Sequence, residues 1–204
     1  MMTDKTAEHA LVLFLLFCGL LLIRIFSVPQ FRTRYLAVFH IDDSLFTREI
    51  ASLVLLTLVT MVAMPAIDLT TIWLDFADFS FSYGFAYGGI AMGLAAIALL
   101  WRTQYDWLRF FREDSRSHSF IRIGIYHFIR HPFYTVLLLL AVAQTLMLQN
   151  WIGGPAAIIT FLIVYLVRMP VDEQRAMEFY GHSYLDYMDR TNSLLPRIFP
   201  GQEK

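Results

Sequence analysis

Residues 124–134 read Gly-Ile-Tyr-His-Phe-Ile-Arg-His-Pro-Phe-Tyr and run directly into an apolar stretch that continues to residue 148. A second polar segment, residues 168–173, reads Arg-Met-Pro-Val-Asp-Glu and follows the next apolar stretch. Polar groups beside a membrane-length segment cost free energy unless they are paired or used. A short helical hairpin would bring both polar segments to one membrane face. The pattern therefore predicts a hairpin of membrane helices and a site at the membrane surface.

The composition of the chain also indicates a membrane protein. Its mean hydropathy is +0.54, and 57% of its 204 residues are hydrophobic while 16% are charged. A soluble domain has about 25% charged residues. We predict an all-α integral membrane helical bundle of about five transmembrane helices, with short cytosolic helices at the C-terminus and a single domain over residues 1–204. The stretches that approach the ~20 residues needed to cross the hydrocarbon core are residues 10–28, 50–67, 84–101, 133–149 and 151–167.

The basic residues predict the orientation of the bundle. All but one of the 16 Lys and Arg residues lie near or beyond the C-terminal ends of the first, third and fifth apolar stretches, and the exception is Lys5. Because basic residues stay on the cytosolic side, we predict an external N-terminus and a cytosolic C-terminus. The protein would then be a multi-pass membrane protein, in the cell inner or plasma membrane if it is bacterial, with its active site on the cytosolic side.

The first polar segment carries the signals of a helix start. Pro132 suits the first helical position because its missing N–H costs nothing there, and this puts His131 at or near the cap. A helix start offers free backbone N–H groups and a partial positive charge to an anion such as a ligand carboxylate. A plainer interpretation stays open, in which His131 only caps the helix and Arg130 reaches to lipid headgroups.

The second polar segment combines a cation, a proline and an acidic pair. Arg168 ends the fifth apolar stretch, and Pro170 is expected to interrupt the helix. Asp172 and Glu173 would then lie in the first turn of a new amphipathic helix, where acids are favourable. We expect Gly181 to divide this helix into two short ones. An ordinary helix start and a membrane anchor would explain the same residues.

Less is expected of the loop before residue 120. Taken alone, His118 is typical of a solvated histidine, and the acids of this loop, Asp106 among them, are expected to be solvated. The lone Cys18 excludes a disulfide framework within the chain. The sequence holds no phosphate-binding loop, dinucleotide fingerprint or zinc-protease motif. We expect neither a metal nor a nucleic acid as a partner.

The two polar segments together resemble a known family. Residues 118–134 look like the cofactor segment of the isoprenylcysteine carboxyl methyltransferase family, which also takes in phospholipid methyltransferases, and residues 168–196 look like its closing segment. The stretch between them is similar to that of bacterial members. The resemblance implies a membrane methyltransferase that uses S-adenosylmethionine. Its N-terminal spans would lie in residues 1–101, and its cofactor-binding and catalytic half in residues 102–197.

The resemblance also implies roles for individual residues. Arg168 would be a catalytic residue that orients the methyl acceptor. Glu173, the second catalytic candidate, would act as a base if the acceptor were an amine or a thiol. Asp172 stands where the family has a glutamate, which leaves the identity of the acceptor open. The cofactor would lie between the last two spans and the cytosolic segments, against His118, Ser119, Phe120, Ile121, Tyr126, His131, Pro132, Phe133, Tyr134 and Asp172.

For the reaction itself, we expect carboxyl O-methylation of a prenylated cysteine or a similar lipid-like amphiphile that enters from the bilayer among the membrane lipids. A carboxylate acceptor is ionised at neutral pH and needs no base. Methylation of a phospholipid amine or a small thiol is an alternative. A membrane reductase with a related helical core and a non-catalytic membrane scaffold are two more. Calorimetry with S-adenosylhomocysteine separates a methyltransferase from the last two.

Overall fold

The computed structural model describes residues 52, 53, 55–79, 83–113 and 120–197. These residues form helices joined by short loops and contain no β-strand, so the predicted all-α class is confirmed. The first predicted span, residues 10–28, lies outside the described residues. In chain order, the helices are α1 (Met64–Thr70), which continues a π-helical turn (Val59–Ala63), α2 (Tyr83–Glu113), α3 (Pro132–Leu148), α4 (Gly153–Tyr180) and α5 (His182–Arg190), and two 3₁₀ turns (Asp75–Ala77 and Gly124–His127) lie in the connections.

The longest of these helices are apolar over most of their length. Both α2 and α4 are long and apolar enough to cross a membrane, whereas the apolar helices Leu55–Asp68 and α3 are shorter. The side chains that α4 exposes include Leu162, Ile163, Leu166 and Val167. Contiguous apolar surface of this kind is rare on proteins that face water, and it fits a helix that faces lipid. The number of spans and their orientation stay predictions.

Helices α3 and α4 form the tight hairpin that the sequence predicts. They approach closely near the turn because Gly154 has no side chain: a Cβ there would lie 3.1 Å from the Cα of Thr145. The buried Gln144 amide crosses the same contact and donates to the carbonyls of Thr60 and Gly153, both at 2.8 Å. This side chain therefore ties the π-helical turn before α1 to the hairpin.

Asn150 is buried at the hairpin turn and holds the loop that precedes α2. Its side-chain amide donates to the carbonyl of Leu74 at 2.8 Å and to Asp78 Oδ1 at 2.7 Å. Its side-chain oxygen accepts from the backbone N–H groups of Ile152 and Gly153, both at 2.9 Å. One amide side chain thus caps α4 and fixes the connecting loop at this end of the bundle.

Helix α2 packs along α3 through small residues. The closest approach is at Gly89, where a Cβ would lie 2.5 Å from Met147 Cγ and 3.0 Å from the carbonyl oxygen of Ala143. Only a residue without a side chain allows this spacing. Further along the contact, Ala96 and Leu100 of α2 pack with Val136 and Leu140 of α3.

The structure overturns the expected break at Pro170. Helix α4 runs from Gly153 to Tyr180 with Pro170 in its interior. Pro170 is exposed, so its ring lies on the outside of the helix, and a proline removes only one backbone hydrogen bond. Helices with packed neighbours tolerate this loss. The break predicted at Gly181 is confirmed: its φ is +60°, and it separates α4 from α5.

Matched glycine substitutions test the contact of α2 with α3. Gly88 precedes Gly89, but a Cβ on Gly88 would have no atom within 4 Å. Gly88→Ala is expected to be neutral or to stabilise by up to about 1 kcal/mol, because alanine is the better helix former. Gly89→Ala is expected to destabilise by about 1–3 kcal/mol, because it overpacks the contact. Thermal unfolding of both variants in one detergent gives the comparison, and equal midpoints would contradict the packing.

Candidate active site

The start of α3 and the polar part of α4 meet at one end of the bundle. We call their side chains the polar cluster: Arg130, His131 and Tyr134 from the start of α3, and Arg168, Asp172 and Glu173 from α4. These side chains are largely buried; that of Glu173 is 12% exposed and that of Asp172 is 24% exposed. The hairpin therefore brings the two polar segments together, as predicted. Charged groups this far from water must be paired, and each acid has its own partners.

Glu173 is the acid at the centre of the polar cluster. Its Oε1 accepts from Arg130 Nε at 3.1 Å and Nη2 at 3.0 Å, and it lies 3.0 Å from His131 Nε2. Glu173 stands beyond the apolar part of α4, which ends at residue 167. Burial alone raises the pKa of this carboxyl, but the hydrogen bond from His131 and the charge of Arg130 outweigh burial and lower the pKa overall. A carboxylate held in this way is a weak base.

Asp172 pairs with different partners. Its Oδ1 lies 3.1 Å from Arg168 Nη2, and its Oδ2 accepts from the Tyr134 hydroxyl at 2.8 Å. Because α4 is continuous, Arg168 and Asp172 are four residues apart on one helical face. The expectation that Pro170 puts them in separate elements is therefore wrong, and the two side chains form an ion pair.

His131 links the start of α3 to α4. Pro132 is the first residue of α3, as predicted, and the carbonyl of His131 accepts from the N–H groups of Tyr134 at 3.0 Å and Thr135 at 3.2 Å. The imidazole makes no capping hydrogen bond and turns to Glu173 instead. His131 thus uses its backbone for the helix start and its ring for the polar cluster.

Arg130 is a central residue that the sequence analysis did not assign to the site. Besides its bonds to Glu173, its Nη1 donates to the carbonyls of Met188 at 2.8 Å and Thr191 at 2.6 Å. A cation is favourable there because the last carbonyls of α5 lack helical partners. Its side chain is 12% exposed, so the alternative that it reaches to lipid headgroups is wrong. The one signal in the sequence is its position next to His131.

The segment that follows α5 lies beside the residues that lead into α3 and runs parallel to them. We call residues 192–194 the C-terminal strap. Its first two carbonyls accept from the backbone N–H groups of Arg130 and His131 at 2.9 and 3.0 Å. Thr135 Oγ1 donates to the carbonyl of Leu194 at 2.6 Å. The strap therefore fixes the loop from which α3 begins, a role that nothing in its composition reveals.

Phe120 lies in an aromatic cluster beside the polar cluster. Its ring centroid is 5.1 Å from those of Tyr180, Tyr184 and Tyr187, and the Arg122 guanidinium carbon lies 4.3 Å from it. Burial raises the pKa of the Tyr184 and Tyr187 hydroxyls above their usual range. The ring of Phe120 is enclosed by protein, so it anchors the segment that leads to α3.

Tyr126 belongs to the same segment. It is buried in the 3₁₀ turn Gly124–His127, and its carbonyl accepts from the Tyr187 hydroxyl of α5. This bond joins the turn to the C-terminal helix. Of the remaining predicted cofactor positions, Ile121 and Phe133 are half-buried, Pro132 is buried, and His118 and Ser119 lie outside the described residues.

Asp106 differs from its expectation. We expected a solvated carboxylate, but its side chain is only 2% exposed. Its Oδ2 accepts from the backbone N–H of Ile125 at 2.8 Å and from Arg102 Nε at 2.9 Å. The pattern of α2 cannot reveal the first bond, since Ile125 lies 19 residues further along the chain. Asp106 connects α2 to the turn that carries Tyr126.

A protein-family model matches the part of the chain that forms the polar cluster. The model of the isoprenylcysteine carboxyl methyltransferase (ICMT) family matches residues 89–178. This range begins at the close contact of α2 with α3 and ends in the last turn of α4, so it contains the whole polar cluster. This part of the chain is therefore similar to the ICMT family. The match does not extend to the residues before 89 or to α5.

Part of the chain also aligns with curated proteins that are named as isoprenylcysteine O-methyltransferases. The chain is 30% identical over 87 residues to protein-S-isoprenylcysteine O-methyltransferase B of Arabidopsis thaliana, which covers 43% of each chain. It is 32% identical over 91 residues to a probable protein-S-isoprenylcysteine O-methyltransferase of Oryza sativa subsp. indica, which covers 45% of this chain and 47% of that one. With the protein of Mus musculus it is 31% identical over 86 residues, 42% of this chain and 30% of that one. The alignments thus span less than half of these relatives.

Substitution of Arg130 tests its part in the polar cluster. Arg130→Lys keeps the charge, but lysine lacks the planar fork and cannot hold Glu173 and the end of α5 together. We expect a loss of about 1.5–3 kcal/mol in the free energy of unfolding. Arg190→Lys, on the exposed surface of α5, is the matched control and is expected to stay within about 0.5 kcal/mol of the wild type. Thermal unfolding in detergent measures both, and equal shifts would contradict the assigned role.

Proposed function

We propose that this chain catalyses carboxyl methylation of a lipid-like acceptor, with S-adenosylmethionine as the methyl donor and a prenylated cysteine as the first candidate acceptor. Similarity to the ICMT family model over residues 89–178 and the activity named in the plant and mouse relatives support this proposal. Because those alignments cover less than half of the relatives, the choice of acceptor needs support from the polar cluster itself.

The observation that carries this choice is the state of Glu173. Its accepting oxygen is engaged by Arg130 and His131, and its pKa is lowered, so it is poorly suited to remove a proton. An amine or a thiol must lose a proton to accept a methyl group, because their reference pKa values are about 10.4 and 8.5. A carboxylate is ionised at neutral pH and needs no base. The geometry therefore supports a carboxylate acceptor better than the amine and thiol alternatives.

The polar cluster fits the charges of S-adenosylmethionine. When bound, this cofactor supplies a methyl group on a sulfonium, and it also carries an amine and a carboxylate. We assign its cationic groups to Asp172 and the ring of Tyr134, and its carboxylate to His131 at the start of α3. The Asp172 side chain is 24% exposed and that of Glu173 is 12% exposed, which favours Asp172 as the acid that a ligand reaches. His118, Ser119, Ile121 and Phe133 would complete the binding surface, and the buried Phe120, Tyr126 and Pro132 would support it from behind.

Arg168 is proposed to orient the acceptor. Its planar guanidinium suits a carboxylate, which it can bind through two parallel hydrogen bonds. Orientation matters because methyl transfer is an in-line displacement, for which positioning supplies much of the rate. Arg168 now pairs with Asp172, so a cationic cofactor drawn to Asp172 would weaken that pair. Glu173 would act indirectly, by holding Arg130 and His131.

We further infer that the site faces the cytosol in a multi-pass membrane protein. The polar cluster lies at the end of the hairpin opposite to Asn150. The loop that Asn150 holds, residues 71–79, contains Asp75 and Asp78 and no Lys or Arg. The end with the polar cluster carries the arginines, and basic residues mark the cytosolic side.

The acceptor can be identified with purified protein and labelled S-adenosylmethionine. A farnesylated cysteine with a free carboxylate is expected to accept the methyl group, because the carboxylate needs no base. The carboxamide of the same molecule is the matched control and should accept nothing, and phosphatidylethanolamine and a small thiol should accept nothing either. Transfer to the amine or thiol alone would contradict the carboxylate acceptor. No transfer together with no calorimetric binding of S-adenosylhomocysteine would contradict a methyltransferase.

Substitutions in the Arg168–Asp172 pair test the two assigned roles. Asp172→Asn is expected to weaken S-adenosylhomocysteine binding about ten- to hundredfold, because a cationic group loses its counter-charge. Arg168→Ala should leave this affinity unchanged or tighter, since Asp172 loses a competing cation, while turnover falls. Arg168→Lys should restore little, because a point charge cannot copy the fork.

Calorimetry and turnover are measured separately for each of these variants. Glu178→Gln, at an exposed acid of α4, is the control and should change neither quantity. Loss of cofactor binding in Arg168→Ala, or unchanged binding in Asp172→Asn, would show that the roles are wrongly assigned.

A further inference from the structure

We propose that Asp106 is a positioning residue of the site. It binds the backbone N–H of Ile125 and thereby fixes the turn Gly124–His127, which carries Tyr126 and leads to the start of α3. The effect of Asp106 on cofactor binding rests on the proposed function. Its effect on the backbone of the turn is independent of the proposed function.

The burial of Asp106 shows which of its bonds matters. Its side chain is 2% exposed, whereas that of its partner Arg102 is 55% exposed. An ion pair with a partly solvated partner contributes little. The bond to Ile125, at 2.8 Å, joins a side-chain oxygen to a backbone donor away from water, where loss of the acceptor would leave the N–H unsatisfied. The constraint that Asp106 imposes is therefore on the backbone of the turn.

Gly124 provides the space for this contact. Its φ is +60°, a conformation that glycine adopts without strain. A Cβ on Gly124 would lie 2.0 Å from Asp106 Oδ2, so any side chain there would displace the carboxylate. The acid on α2 and the glycine in the turn are thus complementary, and each requires the other.

The turn passes the constraint on to the polar cluster. The carbonyl of Ile125 accepts from the N–H of Ile129 at 3.0 Å, which fixes the backbone up to the residue before Arg130. On the other side, the carbonyl of Tyr126 accepts from the Tyr187 hydroxyl of α5. A shift of the turn would therefore move both Tyr126 and the first residues of the polar cluster.

Paired substitutions separate this role from simple stabilisation. Asp106→Leu removes the acceptor and keeps the branching of the side chain with larger end groups, while Asp106→Asn keeps an oxygen that can accept from Ile125. Asp186→Asn, at an exposed acid of α5, is the control. For each full-length protein in detergent, calorimetry measures binding of S-adenosylhomocysteine, and mass spectrometry measures hydrogen exchange in the peptide of residues 122–127.

We expect Asp106→Leu to bind about ten- to hundredfold more weakly and to exchange faster in the peptide of residues 122–127. Asp106→Asn and Asp186→Asn are expected to stay within about threefold of the wild type. Gly124→Ala strains the other side of the same contact and should behave like Asp106→Leu; it takes the place of that variant if Asp106→Leu does not fold.

Wild-type binding by a folded Asp106→Leu protein would overturn the proposal. Binding by Asp106→Asn that is as weak as that of Asp106→Leu would also overturn it, because the charge and not the acceptor atom would then matter. If the wild type itself binds no S-adenosylhomocysteine, the proposed function fails, and exchange decides the positioning role alone. Faster exchange in Asp106→Leu then supports that role, and unchanged exchange overturns it.

Discussion

The bonds of Glu173 with Arg130 and His131 are the interaction on which the polar end of this protein depends. A carboxylate at this depth is costly unless it is paired and hydrogen-bonded. Its partners come from the start of α3, and Arg130 extends the network to the end of α5 through the carbonyls of Met188 and Thr191. Loss of the Glu173 carboxylate would leave the buried Arg130 guanidinium without its counter-charge. The network therefore joins α3, α4 and α5 as a unit.

The continuity of α4 explains why Asp172 pairs with Arg168. The apolar part of α4 exposes Leu166 and Val167 and its polar part carries the side chains of the polar cluster, and both belong to one continuous helix through Pro170. Arg168 and Asp172 consequently share a face and a bond. The pair therefore places opposite charges side by side on one face of α4.

Local signals in the sequence were sufficient for the hairpin and for the start of α3. The apolar stretches give the helices, Gly154 permits their close approach, and Pro132 fixes a helix start, all within a few residues. The resemblance to the family assigned both Tyr134 and Asp172 to the cofactor, and these two side chains are hydrogen-bonded to each other. The ligands that Tyr134 and Asp172 bind stay a prediction.

Long-range partners explain what the sequence could not give. Asp106 binds a group 19 residues away, and Arg130 binds groups 43 and 58 residues away. Contacts over such separations leave no periodic pattern in a single sequence. Pro170 differs from its expectation for another reason: on the exposed side of α4 its ring removes one backbone hydrogen bond, and the helix continues through it.

Adjacent residues of an α-helix point about 100° apart around its axis. Asp172 and Glu173 are adjacent, so they face different directions and each meets a separate set of donors. Insertion of one residue between Arg168 and Asp172 would rotate both acids by that angle and turn them away from those donors. The contacts of the two acids therefore require the present number of residues between them and Arg168.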